Sequence, residues 1–247
     1  MSSQLGATSW GIVGGMGPLA SAEFVRTIYE LSAGGAEQTA PQVFLLSDPS
    51  FPDRTGALAN GERRELVARL SAAVGRMLEM GADSVVVCCV TIHSVFDQLP
   101  AELRASVVPL TDIILRTAAE DGRRHLLLCT KGCREARLFE EHPLWPASRG
   151  RVVLPAPDDQ EAVHELIYAI KRGSWQPGEA AAFIRDLARK YDCEGAIAGC
   201  TELHLVAKRS SEWSASLPLF DPLMTLAARI AARGKADAPE RLRACAD

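Results

Sequence analysis

The sequence contains an internal repeat. Residues 82–93 (ADSVVVCCVTIH) resemble residues 193–204 (CEGAIAGCTELH), because each segment has an acidic residue, an apolar run, a cysteine and a histidine four residues after that cysteine. The repeat extends upstream: WGIVG at residues 10–14 opens into a glycine turn, as HLLLC at residues 125–129 opens into Thr-Lys-Gly. The chain is therefore expected to consist of two similar halves.

Apolar runs alternate with amphipathic segments along the chain, which predicts an α/β fold with parallel sheets. The predicted strands are Trp10–Gly14, Gln42–Ser47, Ser84–Cys89, Ser106–Leu110, His125–Thr130, Arg151–Leu154, Gly195–Gly199 and Leu217–Phe220. The predicted helices are Pro18–Ala33, Glu62–Met80, Thr111–Asp121, Asp158–Arg172, Pro177–Tyr191 and Asp221–Ala232. We expect two pseudo-symmetric three-layer α/β domains, the first formed by residues 1–110 and 217–247 and the second by residues 111–216.

Parallel sheets bind ligands outside the carboxyl ends of their strands. Two halves that face each other would place Cys89 and Cys200, each at such an end, on opposite walls of one cleft. A cysteine just before a helix lies near unpaired backbone N–H groups and the positive end of the helix dipole, which favours its thiolate. One thiolate can remove a proton from carbon while the opposite thiol donates one to the other face, so the pattern predicts inversion of stereochemistry.

The composition narrows the range of partners. The 247 residues carry a net charge of −4, which gives no electrostatic reason to expect binding to nucleic acid or to an anionic membrane. No apolar run approaches the roughly 20 residues needed to cross a bilayer, and the first ten residues lack the pattern of a secretory signal. The seven cysteines are expected to be reduced thiols. The predicted location is the cytoplasm, and the predicted partner is a small molecule.

Several short motifs together carry a resemblance to a known family. The sequence resembles the aspartate/glutamate racemases, and within them the aspartate racemases that work without pyridoxal phosphate. The resemblance spans about residues 10–220. Its motifs are GGMGP (14–18), PDRT (52–55), C-x-T-x-H (89–93), IK (170–171) and GCTE (199–202).

This resemblance implies two pseudo-symmetric domains with the active site between them, no cofactor, and commonly a homodimer. The family's catalytic cysteine pair falls on Cys89 and Cys200. Its basic residues that engage substrate carboxylates correspond to Arg54 and Lys171. Cys88 should point to the opposite side of its strand, and the register of the motif favours Cys89 as the reactive thiol.

The predicted substrate pocket is lined by residues beside the two cysteines. The loop Gly14–Pro18, with Met16, is expected to form its floor, where close approach of the backbone requires glycine. Thr91 and Thr201 are expected to contact the substrate. Glu202 could shift the pKa of the neighbouring thiol or bind a substrate amino group. The other predicted lining residues are Val90, Thr130 and Cys133.

Three positions depart from the family's pattern. Val90 stands where the family usually has an Asn whose amide helps to hold a carboxylate, and a valine side chain cannot form a hydrogen bond. Cys133 and Arg134 replace a Thr and a Met of a second motif. Arg134 could provide a replacement carboxylate partner or point into solvent. The predicted function is thus racemisation or epimerisation of a small carboxylate-bearing amino acid or a modified relative, without commitment to free aspartate.

Other functions remain open at this point. The family's scaffold also supports cis–trans isomerisation and decarboxylation of small dicarboxylates, whereas a homologue that only binds its ligand would need neither thiol. The glycine loop fits the G-x-G-x-x-A dinucleotide fingerprint, but Asp48, the nearest acidic residue at a strand end, lies too far along the chain. The pairs Cys89/His93 and Cys200/His204 could form a split zinc site, yet the repeat explains their spacing better. No metal is therefore predicted.

Overall fold

The computed structural model describes residues 9–34, 36–209 and 217–244, with side chains as far as residue 233. Within these residues the chain forms two parallel four-stranded sheets. The first sheet has the order β2-β1-β3-β4 and consists of β1 (Ser9–Gly14), β2 (Gln42–Ser47), β3 (Ser84–Val87) and β4 (Val107–Val108). The second has the order β6-β5-β7-β8 and consists of β5 (His125–Leu128), β6 (Val152–Val153), β7 (Gly195–Ala198) and β8 (Leu219–Phe220). The same strand order in each half confirms the predicted α/β fold with two similar halves.

Helices connect the strands, as parallel pairing requires. The first half has α1 (Pro18–Ser32), α2 (Arg54–Ala59), α3 (Arg63–Glu79) and α4 (Ala101–Ser106), with 3-10 helices at Glu37–Thr39 and Thr91–Gln98. The later helices are α5 (Leu110–Asp121), α6 (Lys131–Glu135), α7 (Trp145–Ser148), α8 (Pro157–Arg172), α9 (Pro177–Lys190), α10 (Leu203–Arg209) and α11 (Pro222–Ala244). None of the helices in the described part of the chain is long and apolar enough to cross a membrane.

The strands that lead to the two cysteines are shorter than predicted. Predicted strand Ser84–Cys89 ends at Val87, because the chain turns there and the Cys89 amide bonds the Val87 carbonyl at 2.8 Å. The second half repeats this turn: the Gly199 amide bonds the Ile197 carbonyl at 2.9 Å. Both cysteines therefore lie in the turns after the strands.

The two halves share one apolar core. The inner faces of both sheets, with Val86 in β3 and Ile197 in β7, belong to a single cluster of buried side chains to which α1, α5 and α11 also contribute. Strand β8 pairs with β7 in the second sheet, whereas α11 packs against α1 of the first half. The division of the chain at residue 217 stays a prediction.

Candidate active site

The first wall of the site is formed by the segments that follow two neighbouring strands, β1 and β3. Val13 of β1 pairs with Val87 of β3, so the glycine loop and Cys89 emerge side by side from the carboxyl edge of the sheet. Met16 and Cys89 pack in one apolar cluster and are only 2% and 5% exposed. Cys88 belongs to the other cluster, the shared core, where burial holds the pKa of its thiol above the usual range. The two adjacent thiols therefore have opposite surroundings.

The second wall is built in the same way. Leu128 of β5 pairs with Ala198 of β7, so the segments that follow these strands also emerge together. Cys200 lies in one of these segments and is 3% exposed. Thr201 joins the two halves, since its hydroxyl donates a hydrogen bond to the Cys88 carbonyl at 3.2 Å.

Glu202 places a buried carboxylate against the second thiol. Its Oε2 accepts a hydrogen bond from Cys200 Sγ at 2.8 Å, while Oε1 is buried with no hydrogen-bond partner. Burial and the Glu202 charge hold the pKa of Cys200 well above its usual value, and the Lys171 charge acts in the opposite direction. Cys200 therefore rests as a protonated thiol.

Lys171, near the end of α8, supplies one positive charge. Its Nζ lies 4.0 Å from Glu202 Oε1. Burial lowers the pKa of Lys171, but the nearby Glu202 and Cys200 outweigh burial and raise it overall. The ammonium group thus stays charged although its side chain is only 19% exposed.

Arg54, the first residue of α2, supplies the other positive charge. Its two terminal nitrogens donate to the carbonyls of Met16 at 2.6 Å and Pro52 at 2.8 Å, whereas Nε is buried without a partner. Burial lowers the pKa of Arg54, but the Cys89 sulfur and the nearby carboxylates raise it overall. The guanidinium group is therefore charged and lies beside Cys89, and its Nε–H has no hydrogen-bond partner.

The glycine loop comes very close to the second half. A Cβ at Gly17 would lie 2.2 Å from Glu202 Oε1, and one at Gly15 would lie 2.3 Å from the Asp48 backbone. Gly15 also has a φ of +88°, a conformation that glycine adopts without strain. The loop needs glycine because of these contacts.

Thr91, Thr130 and Cys133 form a closed ring of hydrogen bonds between the halves. The two hydroxyls lie 2.9 Å apart, Thr130 Oγ1 donates to Cys133 Sγ at 3.4 Å, and Cys133 Sγ donates to Thr91 Oγ1 at 3.4 Å. Burial raises the pKa of Cys133, but hydrogen bonds from Cys129, Thr130 and Thr91 outweigh burial and lower that pKa to about 7. Val90 is fully buried in the shared apolar core and adds no polar group.

Arg134 and the two histidines are bonded to other residues. Arg134 pairs with Glu140 at 3.2 Å. His93 Nδ1 bonds the Cys89 carbonyl at 2.9 Å, while its Nε2 accepts the Leu110 amide at 3.1 Å. His204 lies between Thr27 at 3.0 Å and Asp221 at 2.5 Å. Among the described residues no three potential metal-ligating side chains lie together, and both histidine rings hold loops and helices in place.

A contact that sequence reasoning missed closes the rim of the site. Tyr168 in α8 donates a hydrogen bond to Asp53 Oδ2, in the other half, at 2.7 Å. Lys171 Nζ lies 4.5 Å from the centre of the Tyr168 ring, and burial raises the pKa of Tyr168 to about 12. The sequence signal was the three-residue spacing of Tyr168 and Lys171, which puts both on one helix face.

The structure thus brings together most of the predicted site. Both thiols, both cations, the carboxylate and the glycine loop meet where the halves face each other, with the Thr91–Thr130–Cys133 ring beside them. Both thiols, Arg54 and Glu202 are buried, and Lys171 is partly exposed. A cavity of about 570 Å³ lies elsewhere, lined among others by Thr117, His125 and Met224.

Solved structures of racemases share this fold. Picrophilus torridus aspartate racemase is 21% identical, with a TM-score of 0.75 over 92% of this chain and 94% of that one. A putative Asp/Glu racemase from Yersinia pestis is 24% identical, with a TM-score of 0.63 over 93% and 98%. An aspartate racemase homologue from Pyrococcus horikoshii is 21% identical, with a TM-score of 0.68 over 92% and 99%.

The architecture is that of the two-domain racemases. The sequence profile of the Asp/Glu/Hydantoin racemase family matches residues 13–230, and the chain belongs to this family. The resemblance drawn from the short motifs is thereby confirmed at the level of the family.

Proposed function

We propose that the protein is a cofactor-independent amino-acid racemase or epimerase, with Cys89 and Cys200 as its acid–base pair. The observation that carries this proposal is the pair of unsatisfied buried atoms beside the thiols. Arg54 Nε is a donor without an acceptor, and Glu202 Oε1 is an acceptor without a donor. Buried polar groups are almost always paired, so a ligand with a carboxylate and an ammonium group would satisfy both.

The mechanism follows from the charges in the site. The substrate carboxylate binds Arg54 and Lys171, whose positive charges stabilise the negative charge that develops there as the α-proton leaves. The Cys89 thiolate takes that proton while the Cys200 thiol donates its own to the opposite face. The product has the opposite configuration, Cys89 is left as a thiol and Cys200 as a thiolate, and the reverse reaction starts from that state.

Glu202 favours this function over isomerisation or decarboxylation of a dicarboxylate. A substrate without an amino group would leave the buried Glu202 Oε1 without a hydrogen-bond donor, with only the Lys171 ammonium 4.0 Å away, and a buried polar atom without a hydrogen bond is costly. A protein that merely binds its ligand would have no use for a thiol hydrogen-bonded to a carboxylate. The homodimer and the cytoplasmic location stay predictions, of which the first is checked by light scattering on the purified protein.

Proton NMR in deuterated buffer tests the proposal directly. The purified protein, without added cofactor, should exchange the α-proton of at least one amino acid for deuterium and generate its mirror image. Cys89→Ser and Cys200→Ser should each abolish net racemisation, while exchange on one face can survive. Cys88→Ser serves as the control, since Cys88 points into the core. Normal racemisation in both serine variants would contradict the two-thiol mechanism.

A further inference from the structure

Two buried thiols of the second half take no part in the proposed acid–base chemistry. Cys129 directly follows β5 and Cys133 lies in α6, and both side chains are fully buried in the shared apolar core. The turn that begins α6 at Thr130 lies between them, and the two thiols are hydrogen-bonded to each other. The fold therefore holds a pair of free cysteines together beside the candidate active site.

The surroundings of Cys133 favour its thiolate. Thr130 Oγ1 accepts a hydrogen bond from the Cys133 amide at 3.3 Å and donates its own hydrogen to Cys133 Sγ at 3.4 Å. Thr91 Oγ1 lies 3.4 Å from the same sulfur and can donate to it once the sulfur has lost its proton. Together with the Cys129 thiol, three hydrogen-bearing groups surround one sulfur, and such donors stabilise a negative charge.

Cys129 has the opposite character. Its hydrogen bond with Cys133, its burial and the charge of the Cys133 sulfur all raise the pKa of Cys129 well above its usual value. Cys129 therefore stays a protonated thiol. A thiolate beside a protonated thiol is suited to oxidation in two steps, because the thiolate reacts with the oxidant and the neighbouring thiol then displaces the oxidised group.

We propose that Cys129 and Cys133 form a redox-active dithiol, which a peroxide oxidises to a disulfide. The Cys133 thiolate attacks one oxygen of hydrogen peroxide, the O–O bond breaks, and one proton is taken up to give a sulfenic acid and water. The Cys129 sulfur then attacks the Cys133 sulfur, and the displaced hydroxyl leaves with the Cys129 proton as a second water. The two thiols lose two electrons, and the peroxide gains them.

The disulfide would remove one contact between the halves. Cys133 Sγ donates a hydrogen bond to Thr91 of the first half, and a disulfide sulfur has no hydrogen to donate. The contact of 2.9 Å between the Thr91 and Thr130 hydroxyls is left as the rest of the ring. The proposal goes beyond the proposed function and does not rest on it, since neither thiol belongs to the acid–base pair.

Peptide mapping of the whole protein tests the proposal. Lys131 lies between the two cysteines, so trypsin separates them into HLLLCTK (residues 125–131) and GCR (residues 132–134). After treatment with hydrogen peroxide and blocking of the remaining thiols, mass spectrometry should find these peptides joined, with a mass two hydrogens below their sum. Dithiothreitol should separate them. The absence of joined peptides at a peroxide concentration that oxidises Cys193 would overturn the proposal.

Serine variants test the order of the two steps. In Cys129→Ser the reaction should stop at a sulfenic acid on Cys133, which dimedone traps. In Cys133→Ser the labelling of Cys129 by dimedone should be at least about tenfold weaker. Cys193→Ser is the control, because Cys193 packs in a different apolar cluster, and it should form the joined peptides as the wild type does. Equal labelling of Cys129 and Cys133 in the two variants would contradict the roles assigned to them.

Discussion

Cys200 Sγ donates a hydrogen bond of 2.8 Å to Glu202 Oε2, so one of the two proposed acid–base thiols is bonded to a buried carboxylate. This contact helps to keep the pKa of Cys200 above its usual value. Glu202→Gln removes the negative charge and should lower that pKa. The measurement is the pH dependence of Cys200 alkylation, followed by mass spectrometry of the peptide that contains it, and its midpoint should move to lower pH.

Substitution of the neighbouring cation, Lys171, should shift the pKa of Cys200 in the opposite direction. Lys171 stabilises the Cys200 thiolate, so Lys171→Met should move the same midpoint to higher pH. A common direction of shift in the two variants would mean that a general loosening of the site, rather than its charges, controls the thiol.

Gly17→Ala, a substitution in the first half of the chain, should disturb the hydrogen bond between Cys200 and Glu202. Gly17 has an extended backbone with a φ of −164°, which alanine adopts without strain. The new Cβ, however, would lie 2.2 Å from Glu202 Oε1 and force the carboxylate to move. We expect the alkylation midpoint of Cys200 to fall, as in Glu202→Gln, and turnover in the proposed racemase reaction to fall at least about tenfold.

Gly75→Ala is the matched control for that substitution. Gly75 lies within α3 with open space around its Cα, so an added methyl group meets nothing within 4 Å. Replacing a helical glycine by alanine there should stabilise the fold by about 0.5–1 kcal/mol. Turnover should stay unchanged, and an equal loss in both variants would rule out a specific effect on Glu202.

The sequence predicts the eight strands and the six longer helices because these elements depend on local hydrophobic periodicity. Short helices such as α2 (Arg54–Ala59) and α6 (Lys131–Glu135) escape prediction, since five or six residues hold too little of a 3.6-residue period. The strand before Cys89 is predicted two residues too long, because its apolar residues continue past the turn at Val87.

For the site, too, the sequence predicts which residues take part but not the contacts that they make. The repeat places Cys89 and Cys200 at equivalent positions, and the motifs mark Arg54, Lys171 and Glu202. Which atoms of these residues remain unpaired depends on contacts between distant segments, such as the one between Arg54 and the Met16 carbonyl. No local pattern carries that information.

The hydrogen bond between Tyr168 and Asp53 ties the two halves together at the rim of the site. Because both thiols are buried, a substrate can reach them only when the structure opens, and we expect it to open at this rim. Tyr168→Phe removes the 2.7 Å hydrogen bond and keeps the ring that faces Lys171. Alkylation of Cys89 at fixed pH should become about two- to tenfold faster, as expected for the loss of one hydrogen bond.

Tyr191→Phe is the control for this prediction. The Tyr191 hydroxyl donates to Asp159 at 2.5 Å and accepts from the Ala156 amide at 2.7 Å, all within the second half. Its loss should leave Cys89 alkylation unchanged. Equal acceleration in the two variants would indicate global destabilisation instead of opening at the rim.

His93 should make the stability of the fold depend on pH. Burial lowers the pKa of His93 to about 4, whereas an unfolded histidine titrates near 6.5. Between these values the unfolded chain binds more protons, so stability is lost as pH falls below about 6.5. The bond from the Leu110 amide to Nε2 requires the neutral ring, because a protonated Nε2 cannot accept it.

Urea unfolding at pH 7.5 and at pH 5 measures this effect. The two pKa values predict that His93 accounts for a loss of about 2 kcal/mol over this interval. His93→Gln cannot titrate, so its loss of stability over the same interval should be smaller by that amount, although its stability at pH 7.5 is expected to be lower. An equal loss in wild type and variant would mean that His93 does not stay neutral in the folded protein, and that protonation does not break its bond to Leu110.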